Sequence, residues 1–311
     1  MKISLITLSI LCLAQFTIAQ KDEFMPDYKY AVKKETIFDK IQIAYVDEGP
    51  EDAPVIVMVH GLGGYIKNWY PSIDGLSDTY RCIALDLPGY GQSTLRDFDE
   101  EDYMDFFARS LDAFVKKLDL DNVILMGHSM GGQVSIVAAL KSPRWLSQLI
   151  LAAPAGFETF SEEEATTLKQ FSSATVLMSH TEDQIRAAYK FNFVNMPPLA
   201  EEMIQDRINA KEASWFKEYT KVREKGVKGM LSHPVFDDLN QIKVPTYVLF
   251  GESDFLIPNR YLHARMTTQN VAEVGNKIPN VKIKMIEAAG HMLQMDNPAC
   301  FNRAVKQMLT N

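Results

Sequence analysis

Asn-Val-Ile-Leu-Met-Gly-His-Ser-Met-Gly-Gly, residues 122–132, joins an apolar run to the pattern Gly-x-Ser-x-Gly, and a helical pattern follows directly. An apolar strand that leads straight into a helix forces the residues between them into a sharp turn. That turn holds Ser129, whose hydroxyl then projects away from the sheet, where a base can reach it. Serines flanked by glycines are common in ordinary turns, so the preceding strand and the following helix supply most of the specificity.

Apolar runs with strand character alternate with helical patterns, which predicts an α/β fold with a mostly parallel, eight-stranded sheet flanked by helices. Residues 55–59, Val-Ile-Val-Met-Val, are continuously apolar, as expected for a strand buried on both faces. The first two runs alternate and carry charges, which favours an exposed antiparallel edge. The predicted strands are Tyr30–Thr36, Ile41–Val46, Val55–His60, Arg81–Asp86, Val123–Met126, Leu149–Ala153, Thr246–Gly251 and Val281–Glu287.

Strand character is absent from the sequence of residues 154–233, where helix signals replace it. Ser161 and Thr181 are each followed three residues later by Glu or Gln, the pattern of a capping box at a helix start. We therefore predict one domain with an inserted helical cap. Its parts are the first core segment, residues 20–154, the cap, residues 155–235, and the second core segment, residues 236–311.

A serine hydroxyl is a weak nucleophile, so it needs a histidine base, and the histidine needs a carboxylate that fixes its tautomer. Asp254 follows the predicted strand Thr246–Gly251, and His291 follows the next one. Ligands gather at the carboxyl ends of strands in parallel α/β sheets. Ser129, Asp254 and His291 are therefore expected to converge at one edge of the sheet, in the chain order Ser, Asp, His.

At these residues the chain resembles the α/β-hydrolase family, in its capped branch of small serine esterases, lipases and carbon–carbon hydrolases. The resemblance extends from about residue 30 to the C-terminus and implies Ser129 as nucleophile, His291 as general base and acid, and Asp254 as its orienting carboxylate. Serine at position 129, instead of aspartate, disfavours epoxide hydrolase and haloalkane dehalogenase chemistry. The matching segments are His60–Gly64, Asp86–Ser93, Gly127–Gly132, Gly251–Asp254 and Gly290–His291.

Acyl transfer also needs hydrogen-bond donors for the oxyanion that forms at the carbonyl. Met130 follows the nucleophile and offers its backbone N–H at a helix N-terminus. The second donor is expected from the glycine-rich loop after the third strand. By resemblance, this donor is the backbone N–H of Leu62.

The carboxylate of the triad has one alternative in the sequence. Glu158 follows the strand Leu149–Ala153, and some relatives take their carboxylate from that place. Its other interpretation is a charged residue at the hinge of the cap, which we favour because Asp254 has the better strand-end context.

Composition and charge restrict the class of partner. Of 311 residues, 47% are hydrophobic and 23% charged, as in an ordinary globular protein, and the net charge is −8. There is no basic excess to neutralise phosphates, which argues against nucleic acid as a partner. No cluster has the spacing of a metal site and no glycine-rich phosphate loop follows a strand, so we expect neither metal nor cofactor.

The N-terminus has the pattern of a secretory signal peptide. Lys2 precedes an uncharged apolar run, and small residues surround the expected cleavage point after Ala19. The run is shorter than the roughly 20 apolar residues of a membrane span, so export without a stable membrane span is expected. The cysteines that remain, Cys82 and Cys300, lie in a strand and a helix pattern and are expected to be separate buried thiols.

Aromatic residues and methionines are frequent in the predicted cap. Most of them must pack against the core, and some are expected to line an apolar pocket. This favours a small-molecule substrate, an uncharged and moderately hydrophobic ester. The apolar residues are Phe157, Phe160, Phe171, Met178, Tyr189, Phe191, Phe193, Met196, Met203, Trp215, Phe216, Tyr219 and Met230.

The leading hypothesis is an exported serine hydrolase of carboxylic esters, similar to carboxylesterases and lipases. One alternative is a carbon–carbon bond hydrolase of diketone acids, which calls for a basic residue to hold the substrate carboxylate. Arg186, Lys190 and Arg260 are the candidates for that residue. Amidase or cofactor-free haloperoxidase activity and a non-catalytic receptor for a small ligand on the same fold are the others.

Overall fold

One eight-stranded sheet forms the centre of the protein in a computed structural model, which describes residues 23–310. The strands are β1 (Lys33–Ile37), β2 (Ile41–Glu48), β3 (Val55–Val59), β4 (Arg81–Leu85), β5 (Val123–His128), β6 (Leu146–Ala152), β7 (Thr246–Gly251) and β8 (Val281–Ile286). Their order across the sheet is β1-β2-β4-β3-β5-β6-β7-β8. β2 pairs antiparallel with β1 and β4, and all other pairs are parallel. All eight predicted strands are present, and most differ from the prediction only by a few residues at their ends.

The helices flank this sheet and also fill the segment between β6 and β7. They are α1 (Tyr70–Leu76), α2 (Tyr103–Lys117), α3 (Met130–Leu140), α4 (Glu162–Phe171), α5 (Ala174–Ser179), α6 (Glu182–Lys190), α7 (Pro198–Ala210), α8 (Phe216–Ser232), α9 (Thr268–Glu273), α10 (Leu293–Asp296) and α11 (Pro298–Thr310). α3 packs against β3, β5 and β6, and α11 packs against α1 and β8.

The position of each strand explains its sequence pattern. β3 and β5 are neighbours in the middle of the sheet, and every residue of β5 is buried. Their continuous apolar runs follow from this position, because helices or other strands cover all sides. β1 lies at the edge and its residues are mostly exposed. The parallel strands from β3 to β8 bring the segments that follow β5, β7 and β8 to the same edge of the sheet.

The segment between β6 and β7 carries α4 to α8, so the fold is the predicted α/β fold with an inserted helical cap. Ser161 and Thr181 form the two predicted capping boxes at the starts of α4 and α6. α8 packs against α2 and α3 and so joins the cap to the core. The limits of the cap at residues 155 and 235 remain a prediction.

Two further predictions concern the N-terminal segment and the two cysteines. The predicted signal peptide, residues 1–19, lies outside the described residues. Within residues 23–310, no helix has the length and apolar character that a membrane crossing requires. Cys82 and Cys300 are both buried and unpaired, in agreement with the interpretation as separate thiols.

Candidate active site

Ser129 lies in the sharp turn between β5 and α3, with a backbone conformation that is rare outside glycine. Its φ is 52° and its ψ is −119°. The N–H of Ser129 donates to the carbonyl of Ala152 at 3.0 Å, and its own carbonyl accepts from Gly132 at 2.8 Å and from Ala155 at 3.0 Å. A strained conformation persists only where the surroundings determine it, and these bonds to β6 and α3 do so.

Gly131 allows α3 to approach β3 at this turn. A Cβ atom on Gly131 would lie 2.4 Å from the carbonyl oxygens of both Val59 and His60. These are backbone atoms, which have no side-chain rotamer that could relieve the clash. Because any larger residue would push the helix away, this glycine is required for the position of Ser129 at the end of the sheet.

The three residues predicted to act together are brought into one hydrogen-bonded series. His291 Nδ1 lies 2.8 Å from Asp254 Oδ2, and His291 Nε2 lies 3.0 Å from Ser129 Oγ. Both Asp254 and His291 are buried. Since an ionised carboxylate only accepts hydrogen bonds, we assign the ring proton to Nδ1, which leaves Nε2 free to accept the serine proton.

The second oxygen of Asp254 fixes this carboxylate. Asp254 Oδ1 accepts hydrogen bonds from the backbone N–H groups of Leu256 at 2.8 Å and Ile257 at 2.9 Å. With one oxygen held by the backbone, the other is directed at His291. These two hydrogen bonds fix the orientation of the Asp254 carboxylate.

Glu158, the alternative carboxylate, is directed at a different histidine. It accepts hydrogen bonds from His263 Nδ1 and, at 2.7 Å, from the backbone N–H of Asn259. Glu164 lies on the other side of the His263 ring, 3.5 Å from Nε2. Glu158 therefore connects the start of the cap to the segment after β7 and makes no hydrogen bond to His291.

Among the described residues, no group of three or more His, Cys, Asp or Glu side chains could hold a metal ion.

His128 supports His291, a relationship that the sequence did not suggest. His128 Nε2 donates to the backbone carbonyl of His291 at 2.9 Å, and the two ring centroids are 4.9 Å apart. Burial, followed by the neighbouring His291, lowers the pKa of His128 from 6.5 to about 3. A neutral, buried ring in this place is a positioning residue. Its ring packs directly on the ring of the candidate base, His291.

His60 organises the loop after β3. Its Nδ1 donates to the carbonyl of Gly61 at 2.8 Å, and its Nε2 accepts from the backbone N–H of Leu87 at 3.0 Å. Burial lowers the pKa of His60 to about 4, so this ring is neutral near neutral pH.

Two backbone N–H groups beside Ser129 are available for an oxyanion. Met130 is the first residue of α3, so its N–H has no acceptor within the helix. Leu62 lies in the loop after β3, and a Cβ on the preceding Gly61 would lie 3.0 Å from the Cβ of Ser129. Among the hydrogen bonds of residues 23–310, neither N–H is engaged. The loop therefore passes close to Ser129 with a free donor, as the predicted pair requires.

A cavity of about 710 Å³ opens above Ser129 and His291, lined largely by the cap. Its walls include seven of the apolar residues expected there, whereas Phe171, Met178 and Met196 are exposed. Phe157 packs on Phe250 in the core instead. The size suits a small organic molecule. The seven wall residues are Phe160, Tyr189, Phe191, Phe193, Met203, Phe216 and Met230.

The basic residues of this cavity differ from those expected. Arg186 pairs with Glu201 on the cap surface, and Arg260 stacks on the ring of Phe255. Within the described chain, neither these two nor Lys190 line the cavity. Arg207 of α7 and Arg223 of α8 line it. The prediction that Arg186, Lys190 or Arg260 holds a substrate carboxylate in this site is therefore wrong.

Comparisons with known proteins agree with this fold. A family model described as alpha/beta hydrolase fold matches residues 54–298. A probable 1-acylglycerol-3-phosphate O-acyltransferase of Oryza sativa subsp. japonica is 27% identical, over 83% of this chain and 67% of its own length. Carboxylesterase YbfK of Bacillus subtilis (strain 168) is 24% identical, over 88% of this chain and 86% of its own.

A probable hydrolytic enzyme from Pseudomonas aeruginosa PAO1 superposes with a TM-score of 0.78 at 22% identity, over 91% of this chain and 95% of its own. Since the family model covers most of the sequence, this chain is a member of the alpha/beta hydrolase family.

Proposed function

We propose that this protein is a serine hydrolase that cleaves carboxylic esters through an acyl-enzyme on Ser129. The observation that carries the proposal is the series of two hydrogen bonds, 2.8 Å from Asp254 to His291 and 3.0 Å from His291 to Ser129. The similarity to a carboxylesterase supports an ester as the substrate.

In the first half of the reaction, Ser129 Oγ attacks the ester carbonyl carbon while its proton passes to His291 Nε2. The carbonyl oxygen becomes an oxyanion, which accepts hydrogen bonds from the N–H groups of Leu62 and Met130. Asp254 stabilises the resulting imidazolium through Nδ1. When the tetrahedral intermediate collapses, His291 gives its proton to the leaving alkoxide oxygen, and the alcohol departs.

In the second half, a water molecule attacks the acyl-enzyme and His291 takes its proton. Collapse of the second intermediate breaks the bond to Ser129 Oγ, which recovers its proton from His291. The carboxylic acid is released and the enzyme returns to its first state. Each intermediate has the same geometry at the carbonyl carbon, so the same two N–H groups serve both.

The cavity supports a moderately hydrophobic substrate. Its apolar walls include Phe160, which precedes α4, and Phe216 and Met230, which lie near the two ends of α8. Aromatic and methionine side chains adapt to flexible apolar chains without specific hydrogen bonds. An acyl chain of medium length fits a space of about 710 Å³ above the nucleophile.

Hydrolysis of p-nitrophenyl esters from acetate to dodecanoate tests the proposal. We expect kcat/KM to rise from acetate to a medium chain and to fall by a factor of at least about 10³ in Ser129→Ala. Ser147→Ala is the matched control, because the Ser147 hydroxyl binds the carbonyls of Asn122 and Val123 away from the site. Full activity of Ser129→Ala, or cleavage of a diketone acid but of no ester, would overturn the proposal.

The proposal includes export, which depends on residues 1–19 alone. Expression of the full chain with its own N-terminus, followed by N-terminal sequencing of the exported protein, checks this point. We expect the mature chain to begin at Gln20.

A further inference from the structure

Two arginines of the cap meet at the loop beside the nucleophile. A Cβ atom on Gly63 would lie 2.9 Å from Arg223 Nε, 3.1 Å from the hydroxyl oxygen of Tyr219 and 3.2 Å from Arg207 Nη2. Arg207 Nη2 donates to the carbonyl of Gly63 at 2.7 Å. Both guanidinium groups therefore lie against the same backbone unit, next to the predicted oxyanion donor at Leu62.

Neither arginine has a carboxylate partner among residues 23–310. Asp206 precedes Arg207 in the chain, but its carboxylate accepts from Lys67 at 2.7 Å and from the Tyr65 hydroxyl at 2.7 Å. Glu158 and Asp237 also line the cavity, and the Glu158 carboxylate accepts a hydrogen bond from His263. Two like charges therefore lie against one loop, and among residues 23–310 no ion pair with a carboxylate neutralises either of them.

Several buried polar atoms near these arginines have no hydrogen-bond partner among the described residues. Arg223 Nε and the hydroxyls of Tyr219 and Tyr90 are buried, and within the described residues none has a partner. The guanidinium of Arg207 lies over the Tyr219 ring, 4.6 Å from its centroid. A buried donor without an acceptor costs free energy, more so when it is charged. Arg207 and Arg223 are the members of this group that line the cavity, and a negatively charged group with several acceptor oxygens would accept hydrogen bonds from both of them.

The positive potential extends to His180, which also lines the cavity. Burial lowers the pKa of this histidine, and the charges of Arg223, Lys211 and Arg207 lower it further. The arginine end of the cavity therefore disfavours a second cation, as expected of a place that receives an anion.

We propose that Arg207 and Arg223 form an anion-binding subsite, so that the preferred ester carries a carboxylate or phosphate group close to the scissile bond. The inference rests on the proposed function and refines it. Gly61 of the same loop faces Ser129, and Gly63 faces the arginines. In the substrate, only a short chain of atoms therefore separates the anionic group from the reacting carbonyl. Since aromatic and methionine side chains form much of the other walls, the substrate is amphiphilic. This replaces the expectation of an uncharged ester.

Matched pairs of esters test this inference. The carboxylate pair is mono-p-nitrophenyl glutarate with p-nitrophenyl hexanoate, and the phosphate pair is a 1-acylglycerol 3-phosphate with the 1-acylglycerol of the same chain. We expect the wild type to prefer the anionic member of at least one pair by about 10- to 100-fold in kcat/KM, the range expected for one charged hydrogen bond. The pair with the larger ratio identifies the anion.

Arg207→Gln and Arg223→Gln should lower kcat/KM for the anionic esters about 10-fold or more relative to the neutral esters, so that the preference is lost. Arg186→Gln is the control, because it removes the same charge from an exposed residue of α6 that pairs with Glu201. Rapid hydrolysis of neutral esters without preference for either anionic member would overturn the subsite and leave the proposed function intact. An equal loss of activity on neutral and anionic esters in both variants would also overturn it.

A binding experiment separates the two proposals. Ser129→Ala cannot form an acyl-enzyme, and titration calorimetry of this variant with decyl phosphate, decanoate and 1-decanol measures binding alone. We expect an anionic probe to bind at least about tenfold more tightly than the alcohol, and Arg223→Gln in the same background to abolish the difference. If no ester is hydrolysed but this difference is present, the proposed function fails and the subsite stands. Equal binding of all three probes would contradict the subsite.

Discussion

The Nε2 atom of His128 donates a hydrogen bond to the backbone carbonyl of His291, 2.9 Å away. The residue beside the candidate nucleophile therefore also holds the segment that carries the candidate base. The two residues are 163 positions apart in the chain. His128 is the last residue of β5, and His291 lies in the segment after β8. The distance between Ser129 Oγ and His291 Nε2 thus depends on a hydrogen bond in which neither of these two atoms takes part.

Replacement of His128 should reduce the chemical step more than binding. His128→Phe keeps an aromatic ring but removes the donor, so we expect kcat to fall about 10-fold or more, with little change in KM. His128→Gln retains an N–H donor and should restore part of the loss. Steady-state kinetics of both variants with one p-nitrophenyl ester, alongside their melting temperatures, provides the measurement. Wild-type kcat in His128→Phe would show that the contact has no influence on the base.

Neutralising Asp254 should reduce turnover far more than neutralising Glu158. Asp254→Asn removes the charge that fixes the His291 tautomer, so we expect kcat to fall by about 10²- to 10⁴-fold. Glu158→Gln is the matched change at a residue that contacts His263 instead, and we expect an effect below about fivefold. Turnover of one ester by both variants is the measurement, and circular dichroism checks their folding. A greater loss in Glu158→Gln would move the role of the acid to Glu158.

The buried histidines should make the fold sensitive to acid. The pKa of His60 is lowered to about 4 and that of His128 to about 3, in both cases chiefly by burial. The unfolded chain therefore binds more protons than the folded one from about pH 6.5 downward. The free energy of unfolding is therefore highest above pH 6.5. As the pH falls below this value, it decreases by about 1.4 kcal/mol per pH unit for each histidine, down to about pH 4 for His60 and about pH 3 for His128.

Urea unfolding of the wild type and of His128→Gln at pH 7, 6 and 5 measures this effect. Since other groups titrate in both proteins, the comparison isolates His128. We expect the free energy of unfolding to decline less steeply with falling pH in the variant. Parallel curves for the two proteins would contradict the assignment of a strongly lowered pKa to His128.

The fold was largely predictable because strands that are buried on both faces have short, continuous apolar sequences. β7 has the predicted bounds, and β5 was recognisable from its continuous apolar residues. β1 begins at Lys33 and not at Tyr30, since the Tyr30 hydroxyl binds Asp74 of α1 and the backbone N–H of Lys29 binds the Tyr70 hydroxyl. Such a contact between distant side chains leaves no periodic signal near the strand.

The site was predictable where each residue follows its own strand, as Ser129, Asp254 and His291 do. The arginines were missed because the orientation of the cap helices depends on tertiary packing. A signal was nevertheless present in α8, where Arg223 lies four residues from both Tyr219 and Val227, on the buried face of the helix. A cation on an apolar helix face is unusual and indicates a function.

The central claim is that Asp254 and His291 activate Ser129 as a nucleophile. Labelling with a fluorophosphonate probe, followed by mass spectrometry of the modified peptide, tests it directly because the probe reacts covalently with activated serines. We expect rapid, stoichiometric labelling on Ser129 in the wild type, none in Ser129→Ala, and labelling slowed by at least about 100-fold in His291→Ala. A folded wild-type protein that takes up no label, or takes it up at another residue, would contradict the claim.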